Sequence, residues 1–424
     1  MVKTVGMTDR VFVIVGASLA GAKAAETLRA EGFDGRVVLI GEEPQLPYER
    51  PPLSKGYLLG KDERGKAFPH DEAWYADQRI ELRMGTRVIA VDPAAHEVTL
   101  DGGERVRYDK LLLATGSSPR TLDLPGGEGP RIHHLRTIEQ SEALGRTLRA
   151  GDPVVVIGAG WIGLEIAAAA REFGCDVTVV ETDRAPLRQV VGDEVAEVFR
   201  ALHAAHGVDF RFDTQVREFG GIGDRLTHAV LDDNSEVPAS AALIAVGITP
   251  NVELARGAGL RVDDGVVADA ALRTSDPDVY AAGDVVSAYH PLFHQHIRVE
   301  HWANALNGGP AAARSMLGQE VSYDRLPYFF TDQYDLGMEM AGWLPRGGFD
   351  RVVFRGDPSI VDGKTPEFTV FWTRQGHVLA GMNVNVWDVQ DDIQKLVRAG
   401  YSGKDVDLDR LADPSVPLDA LLAG

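Results

Sequence analysis

Twice in this chain a short, unbroken apolar run ends in a glycine turn and resumes as a helical pattern. The first copy reads Val11-Phe-Val-Ile-Val15, then Gly16-Ala-Ser-Leu-Ala-Gly21, an alanine-rich stretch to about Glu31, then Val37-Val-Leu-Ile40, Gly41 and Glu42. The second reads Val154-Val-Val-Ile157, then Gly158-Ala-Gly-Trp-Ile-Gly163, a helical pattern to about Phe173, then Val177-Thr-Val-Val180 and Glu181. Apolar runs that do not alternate belong to parallel strands covered on both faces. Each copy is therefore expected to be strand, tight turn, helix and strand, closed by an acid. The period is far too long for a solenoid, so the repeat is a duplicated α/β domain type.

The glycines say what such a turn is for. In Gly158-x-Gly160-x-x-Gly163 the first glycine permits the turn, and the second lets backbone approach a pyrophosphate. The third lets the helix pack on the strand, and the helix N-terminus faces the anion. Glu181, about twenty residues downstream, can accept from ribose hydroxyls and repels a 2′-phosphate, which favours NAD over NADP. Arg184 and Arg188 follow closely and can soften that preference. The first copy departs from the pattern: Ser18 stands at the central position, where its Cβ crowds the pyrophosphate side and its hydroxyl can donate to phosphate. Two dinucleotide folds in one chain imply two nucleotides with redox transfer between them.

Residues 106–114 read as one strand running into Thr115-Gly116, 243–246 as another before Gly247, and 279–282 as a third before Gly283-Asp284. From about Pro327 the pattern becomes aromatic and alternating at 367–372 and 378–386, with a helix expected at 388–398 and a polar tail after Ser402. The expected architecture is α/β: two Rossmann-like dinucleotide-binding domains plus a C-terminal α+β domain.

Composition narrows the partners. The net charge of −20 argues against a nucleic-acid or anionic-membrane binder, which needs a positive field. A single cysteine, Cys175, allows neither an intrachain disulfide nor a CxxC redox pair and fits a reducing cytoplasm. The N-terminal residues carry no signal-peptide core, and Met7 could serve as a start. His294, His296 and His301 lack a further ligand at metal-site spacing, so no metal is expected.

Nearly the whole chain resembles the FAD-dependent, NADH-dependent ferredoxin reductases of the putidaredoxin-reductase type. The likeness is carried by residues 16–21, Glu49-Arg-Pro-Pro-Leu-Ser-Lys55, Leu112-Leu-Ala-Thr-Gly116, residues 158–165, Ala245-Val-Gly-Ile-Thr-Pro-Asn251, Thr274-Ser-Asp-Pro277, Ala281-Ala-Gly-Asp284 and Arg298-Val-Glu-His-Trp-Ala-Asn-Ala305. The Pro-Pro-Leu-Ser-Lys segment discriminates most, because disulfide reductases of the same fold carry their redox cysteines in that region. The resemblance implies an FAD-binding domain from 1–118 and 247–326, an NAD-binding domain at 119–246 and a C-terminal domain at 327–424.

It also implies site roles. FAD would be held through Gly16, Ser18, Ala20 and Gly21 at the pyrophosphate, and Glu42 at the adenosine ribose. Val88 would meet the adenine through its backbone, and Arg136 would pair with phosphate. Asp284 would take the ribitol chain, with Arg50 and Thr115 also at the cofactor and Trp302 beside the flavin. Lys55 would lie at the flavin N5 edge, paired with Glu165, as the catalytic pair. NADH would use Gly158, Gly160, Ile162, Gly163, Glu165, Glu181 and Gly247. On the bare sequence Lys55 is a loop lysine, and only the resemblance gives it this role. A ferredoxin serving a cytochrome P450 or a dioxygenase would be the acceptor of a monomer or weak homodimer. Because ferredoxins are typically acidic, docking would draw on Arg298, Arg314, Arg325, Arg346, Lys395 or Arg398. A rubredoxin reductase and an apoptosis-inducing-factor-like NADH-sensing flavoprotein are the alternatives.

Overall fold

The computed structural model describes residues 9–222, 225–344 and 348–422. They form two compact units, one from the described parts of Met1–Glu49, Arg64–Ser118 and Thr249–Pro327, the other from Arg50–Glu63, Pro119–Ile248 and Tyr328–Gly424.

The first unit is built on a parallel sheet in the spatial order Val279–Ala281, Lys110–Leu113, Val11–Val15, Arg36–Ile40, Ile80–Arg83. Val13, Ile14, Val37, Val38, Leu111 and Leu112 are wholly buried, which is why these strands read as unbroken apolar runs. Helix Leu19–Ala30 packs on the sheet and against helix Trp302–Met316. Where the two helices meet, a Cβ on Gly309 would fall on the Ala20 carbonyl.

The single strand expected at 106–114 is two strands. Arg105–Arg107 joins an antiparallel sheet with Glu97–Leu100, and Lys110–Leu113 joins the parallel one. Asp109 marks the switch: its N–H donates to the Val11 carbonyl at 2.7 Å and its carboxylate accepts the Val11 N–H at 2.6 Å. The backbone and carboxylate of Asp109 thus pin the chain where it passes from one sheet to the other.

The second unit repeats the parallel design in the order Val208–Arg211, Val177–Val180, Val154–Ile157, Ala241–Ile244, Ile132–His133. It also holds an antiparallel sheet in the order Tyr328–Gln333, Leu336–Gly342, His377–Val384, Phe368–Arg374, Arg351–Arg355, covered by helix Gln390–Tyr401. The two sheets share one apolar core, tied by the buried Trp372 indole donating to the Val191 carbonyl at 2.8 Å.

The helix expected from 388 starts at Gln390, because Asp388 sits in the left-handed region at φ 61°. The expected polar tail is partly ordered as a helix, Leu408–Ala412. Asp407 caps it through the N–H groups of Asp409 and Arg410, and Leu411 is fully buried. Val406, Leu418 and Leu421 are buried too, and four apolar anchors so irregularly spaced in a polar stretch leave too little periodicity to read. Among the described residues no helix is long and apolar enough to cross a membrane.

Candidate functional site

Both glycine loops have the geometry their sequences demand. Gly158 adopts φ +99°, its N–H donates to the Val180 carbonyl at 2.9 Å, and a Cβ there would lie 2.5 Å from the Ala245 carbonyl oxygen. A Cβ on Gly163 would collide with the Gly158 carbonyl and press on Val156 of the strand, which explains the third glycine. Gly160 differs: an added Cβ would meet nothing within 4 Å. Gly160 also sits at the cap position of helix Trp161–Glu172 and offers no side chain to its first amides. Open space in front of uncapped helix amides fits a dinucleotide pyrophosphate. Ile162, on the first turn, is exposed beside this opening.

Glu181 closes the loop from the other side. Its carboxylate accepts the Ala159 N–H at 2.7 Å, the Asp183 N–H at 2.9 Å and the Thr182 hydroxyl at 3.0 Å. Leu187 donates its N–H to the Ala159 carbonyl at 3.1 Å, so Ala159 is held at both its polar groups. Arg184 and Arg188 are turned to carboxylates: Arg184 pairs with Asp193 at 2.7 Å, and Arg188 with Asp193 at 2.6 Å and Asp183 at 3.2 Å. Their pairing with Asp183 and Asp193 weakens them as receptors for a 2′-phosphate. Glu181→Ala is expected to narrow the NADH-over-NADPH ratio in kcat/KM by about tenfold, the value of one charge-assisted contact. An unchanged ratio would remove Glu181 from nucleotide selection. Gly247, at φ +95°, accepts the Arg120 N–H through its carbonyl at 2.9 Å.

In the first unit Gly16 takes φ +115°, with its Cβ direction blocked by the Ala114 carbonyl, and its N–H donates to the Ile40 carbonyl at 2.8 Å. A Cβ on Gly21 would strike the Gly16 carbonyl. Ser18 is extended ahead of its helix and makes no side-chain bond to the helix amides, so its hydroxyl does not cap them. Gly283, at φ +79°, brings the turn that carries Asp284 against Ala20, with 3.2 Å from an ideal Cβ to the Ala20 Cβ. The Asn304 amide donates to the Gly283 carbonyl at 3.2 Å, and Trp302 opens the same helix with its indole on Glu49 at 3.0 Å. Thr115 is tied to Asn251 by two reciprocal bonds of 2.8 and 2.9 Å. Glu42 is exposed and lies 3.7 Å from Arg87, the neighbour of buried Val88.

The densest cluster of polar groups lies inside the second unit. Glu165, on helix Trp161–Glu172, is only 4% exposed, yet accepts three donors. Lys55 Nζ reaches it at 2.7 Å, the Thr331 hydroxyl at 2.6 Å, and the Ser54 hydroxyl bonds its other oxygen. Lys55 also stands over the Phe330 ring at 5.4 Å. Burial, with the Glu165 charge adding, raises the Asp332 carboxyl above the usual range, while Lys55 opposes. In the same unit the Arg50 guanidinium donates to the Arg136 carbonyl.

In the first unit the structure brings Ala20 against the Gly283 turn and Thr115 beside Gly16, while Glu42 lies at Arg87. In the second unit Lys55 and Glu165 form an ion pair. Sequence reasoning missed Ser54, Thr331 and Gln333. Ser54 stands beside Lys55 in the Pro-Pro-Leu-Ser-Lys segment, which gives it no role by itself. Thr331 and Gln333 signal themselves only as polar residues two apart on a buried strand.

Residues 10–309 match the pyridine nucleotide-disulphide oxidoreductase family, and residues 328–422 match the reductase C-terminal family. The chain belongs to the pyridine nucleotide-disulphide oxidoreductases, in the putidaredoxin-reductase-type branch. It is 41% identical over 416 residues to the ferredoxin–NAD(+) reductase component of the anthranilate 1,2-dioxygenase system of Burkholderia cepacia, covering 97% of this chain and 99% of that protein. It is 35% identical to putidaredoxin reductase CamA of Pseudomonas putida, over 97% of this chain and 96% of that one. The reductase in the crystal structure of the covalent putidaredoxin reductase–putidaredoxin complex superposes with a TM-score of 0.91, at 35% identity, over 98% of this chain and 99% of that chain. The family implies binding of FAD and NAD(H), and the two glycine loops fit dinucleotides.

Family membership sharpens two other features. Cys175, the sole cysteine of a member of a disulphide-oxidoreductase family, is wholly buried with its thiol on the Leu148 carbonyl at 3.2 Å. Burial pushes the thiol up, away from the reactive thiolate. Several cations considered for docking are engaged: Arg298 with Asp264 and Glu300, Arg314 with Glu31, Lys395 with Asp392. Arg325 accepts a contact from His290 at its carbonyl, Arg398 lies in the last turn of its helix, and Arg346 is outside the described residues.

Proposed function

We propose that this chain takes hydride from NADH onto FAD and passes the electrons singly to a ferredoxin that serves a cytochrome P450 or a ring-hydroxylating dioxygenase. The observation that carries the reading is Cys175: with one cysteine, buried and tied to a carbonyl, no dithiol relay can carry electrons onward, so they must leave for an external carrier. The similarity to the Burkholderia cepacia and Pseudomonas putida reductases supports an iron–sulfur carrier as that acceptor.

FAD would be held by Gly16, Ser18, Ala20 and Gly21 at its pyrophosphate and by Glu42 at its ribose, with Val88, Thr115 and Asp284 along its length. Arg50, Arg136 and Trp302 complete that set. Gly158, Gly160, Ile162, Gly163, Glu181 and Gly247 would hold NADH, working as a monomer or weak homodimer. When bound, FAD supplies the exchange between two-electron and one-electron chemistry. The residues supply the rest. The resemblance would put the Lys55 ammonium near the flavin, where it would stabilise the negative charge that reduction leaves on the ring, with Glu165 keeping that ammonium oriented.

The test is anaerobic. Mixed with NADH the yellow protein should bleach promptly, and with NADPH more slowly. A [2Fe–2S] ferredoxin should then restore the colour. Reoxidation by rubredoxin alone would favour a rubredoxin reductase. A long-lived reduced complex that no carrier reoxidises would favour the NADH-sensing alternative, and either result overturns the proposal.

A further inference from the structure

Behind Glu165 runs a line of buried polar groups that neither glycine loop uses. Thr331 and Gln333 lie two apart on strand Tyr328–Gln333, and His203 on helix Asp193–Ala205 meets them. All three are at most 1% exposed. The Thr331 hydroxyl donates its one proton to Glu165 Oε1 at 2.6 Å, so its oxygen is left to accept Gln333 Nε2–H at 3.1 Å. Gln333 therefore turns its carbonyl oxygen to His203 Nε2, 2.8 Å away. An imidazole nitrogen facing a carbonyl must carry hydrogen, which leaves His203 Nδ1 bare to accept the Tyr334 hydroxyl at 3.3 Å. Burial lowers His203 to about 4, so near neutral pH the ring is uncharged and holds this one tautomer.

Every proton in the line points the same way, toward Glu165. Aligned donors polarise one another, and in a low-dielectric interior their positive ends act together on the carboxylate. We propose that Thr331, Gln333 and His203 are positioning residues that fix the Glu165 carboxylate in one orientation, so that Glu165 in turn holds the Lys55 ammonium in place. The inference rests on the reading that Lys55 serves the flavin, and it assigns a task to the antiparallel sheet: its first strand orients the pair.

The groups facing this pair are Lys55, Ser54, Thr331 and Asp332, and those facing His203 are Gln333, Tyr334 and His206.

Thr331→Val removes the donor on Glu165 at nearly constant shape. In the holoenzyme NADH-driven flavin reduction should slow by about tenfold, the worth of one hydrogen bond to a charged group. Thr331→Ser, which keeps the hydroxyl, should restore the rate, and Thr331→Val placed on Glu165→Gln should slow it no further, because the carboxylate it acts through is gone. One readout needs no turnover: the 15N signals of His203 should report hydrogen on Nε2. A folded, flavin-replete Thr331→Val that reduces its flavin at the unaltered rate overturns the inference, as does hydrogen on Nδ1 of His203. If Lys55→Met reduces its flavin at the unaltered rate, the reading of Lys55 fails, while the tautomer result still judges the line behind Glu165.

Discussion

Gly158→Ala loses NADH-driven flavin reduction while keeping its FAD. The argument is steric and conformational together. At φ +99° an L residue is strained by about 1–2 kcal/mol, and the new methyl would sit 2.5 Å from the Ala245 carbonyl oxygen. The loop cannot slide away cheaply, because the Gly158 N–H is bonded to Val180 and Ala159 is held by Glu181 and Leu187. The loop therefore shifts as a whole, and the amides of the helix start shift with it. A displacement of about 1 Å at such a site costs on the order of a hundredfold, so the NADH KM should rise by at least that factor. Gly160→Ala separates the two roles glycine plays there. Its methyl would meet nothing within 4 Å and its φ of −79° suits any residue, so thermal stability should be unchanged. Its NADH affinity should still fall, because the methyl enters the space the pyrophosphate needs. Stopped-flow NADH titrations beside thermal melts check both variants. Normal NADH binding in Gly160→Ala would mean that the open space is not the nucleotide site.

The halves of this chain that bind nucleotides were legible because glycine geometry is local. Gly16 and Gly158 both need positive φ, Gly21 and Gly163 both lack room for a Cβ, and the flanking strands are buried on both faces. Legibility failed where pattern was too weak to decide. The run at 106–114 divides at Asp109 between two sheets, and Val406, Leu411, Leu418 and Leu421 are buried in a tail that otherwise reads as polar. It failed more deeply in the cluster around Glu165. Lys55 and Glu165 are 110 residues apart and Thr331 is 166 from Glu165, so no periodicity connects them, and only resemblance paired the first two. The arginines after Glu181 teach the complementary lesson. Their charge was plain in the sequence, but Asp183 and Asp193 engage it, and that depends on where a turn places four side chains.

Lys55→Met is the second large effect, and its partner variants decide what the lysine does. Removing the ammonium leaves Glu165 buried with the hydroxyls of Ser54 and Thr331 as its donors. Breaking a buried pair from one side costs about 3–5 kcal/mol, and the two remaining hydroxyls place this case at the lower end. A lowered melting temperature is therefore expected, together with flavin reduction slowed by about a hundredfold, the usual loss when one preorganised positive group is taken from a developing anion. Both losses could share a single cause, an uncompensated carboxylate, and the double variant Lys55→Met/Glu165→Gln tests that. Glutamine keeps the shape without the charge: its one carbonyl oxygen accepts the Thr331 hydroxyl, and its amide donates to the Ser54 oxygen, whose proton turns to the Pro51 carbonyl, so the melting temperature should recover. If the lysine acts on the flavin, the rate should stay slow, because neutralising Glu165 returns no positive charge to the cofactor. If instead the rate recovers with the stability, Lys55 is only the counter-ion of a buried acid, and stabilisation of the reduced flavin's charge must come from elsewhere.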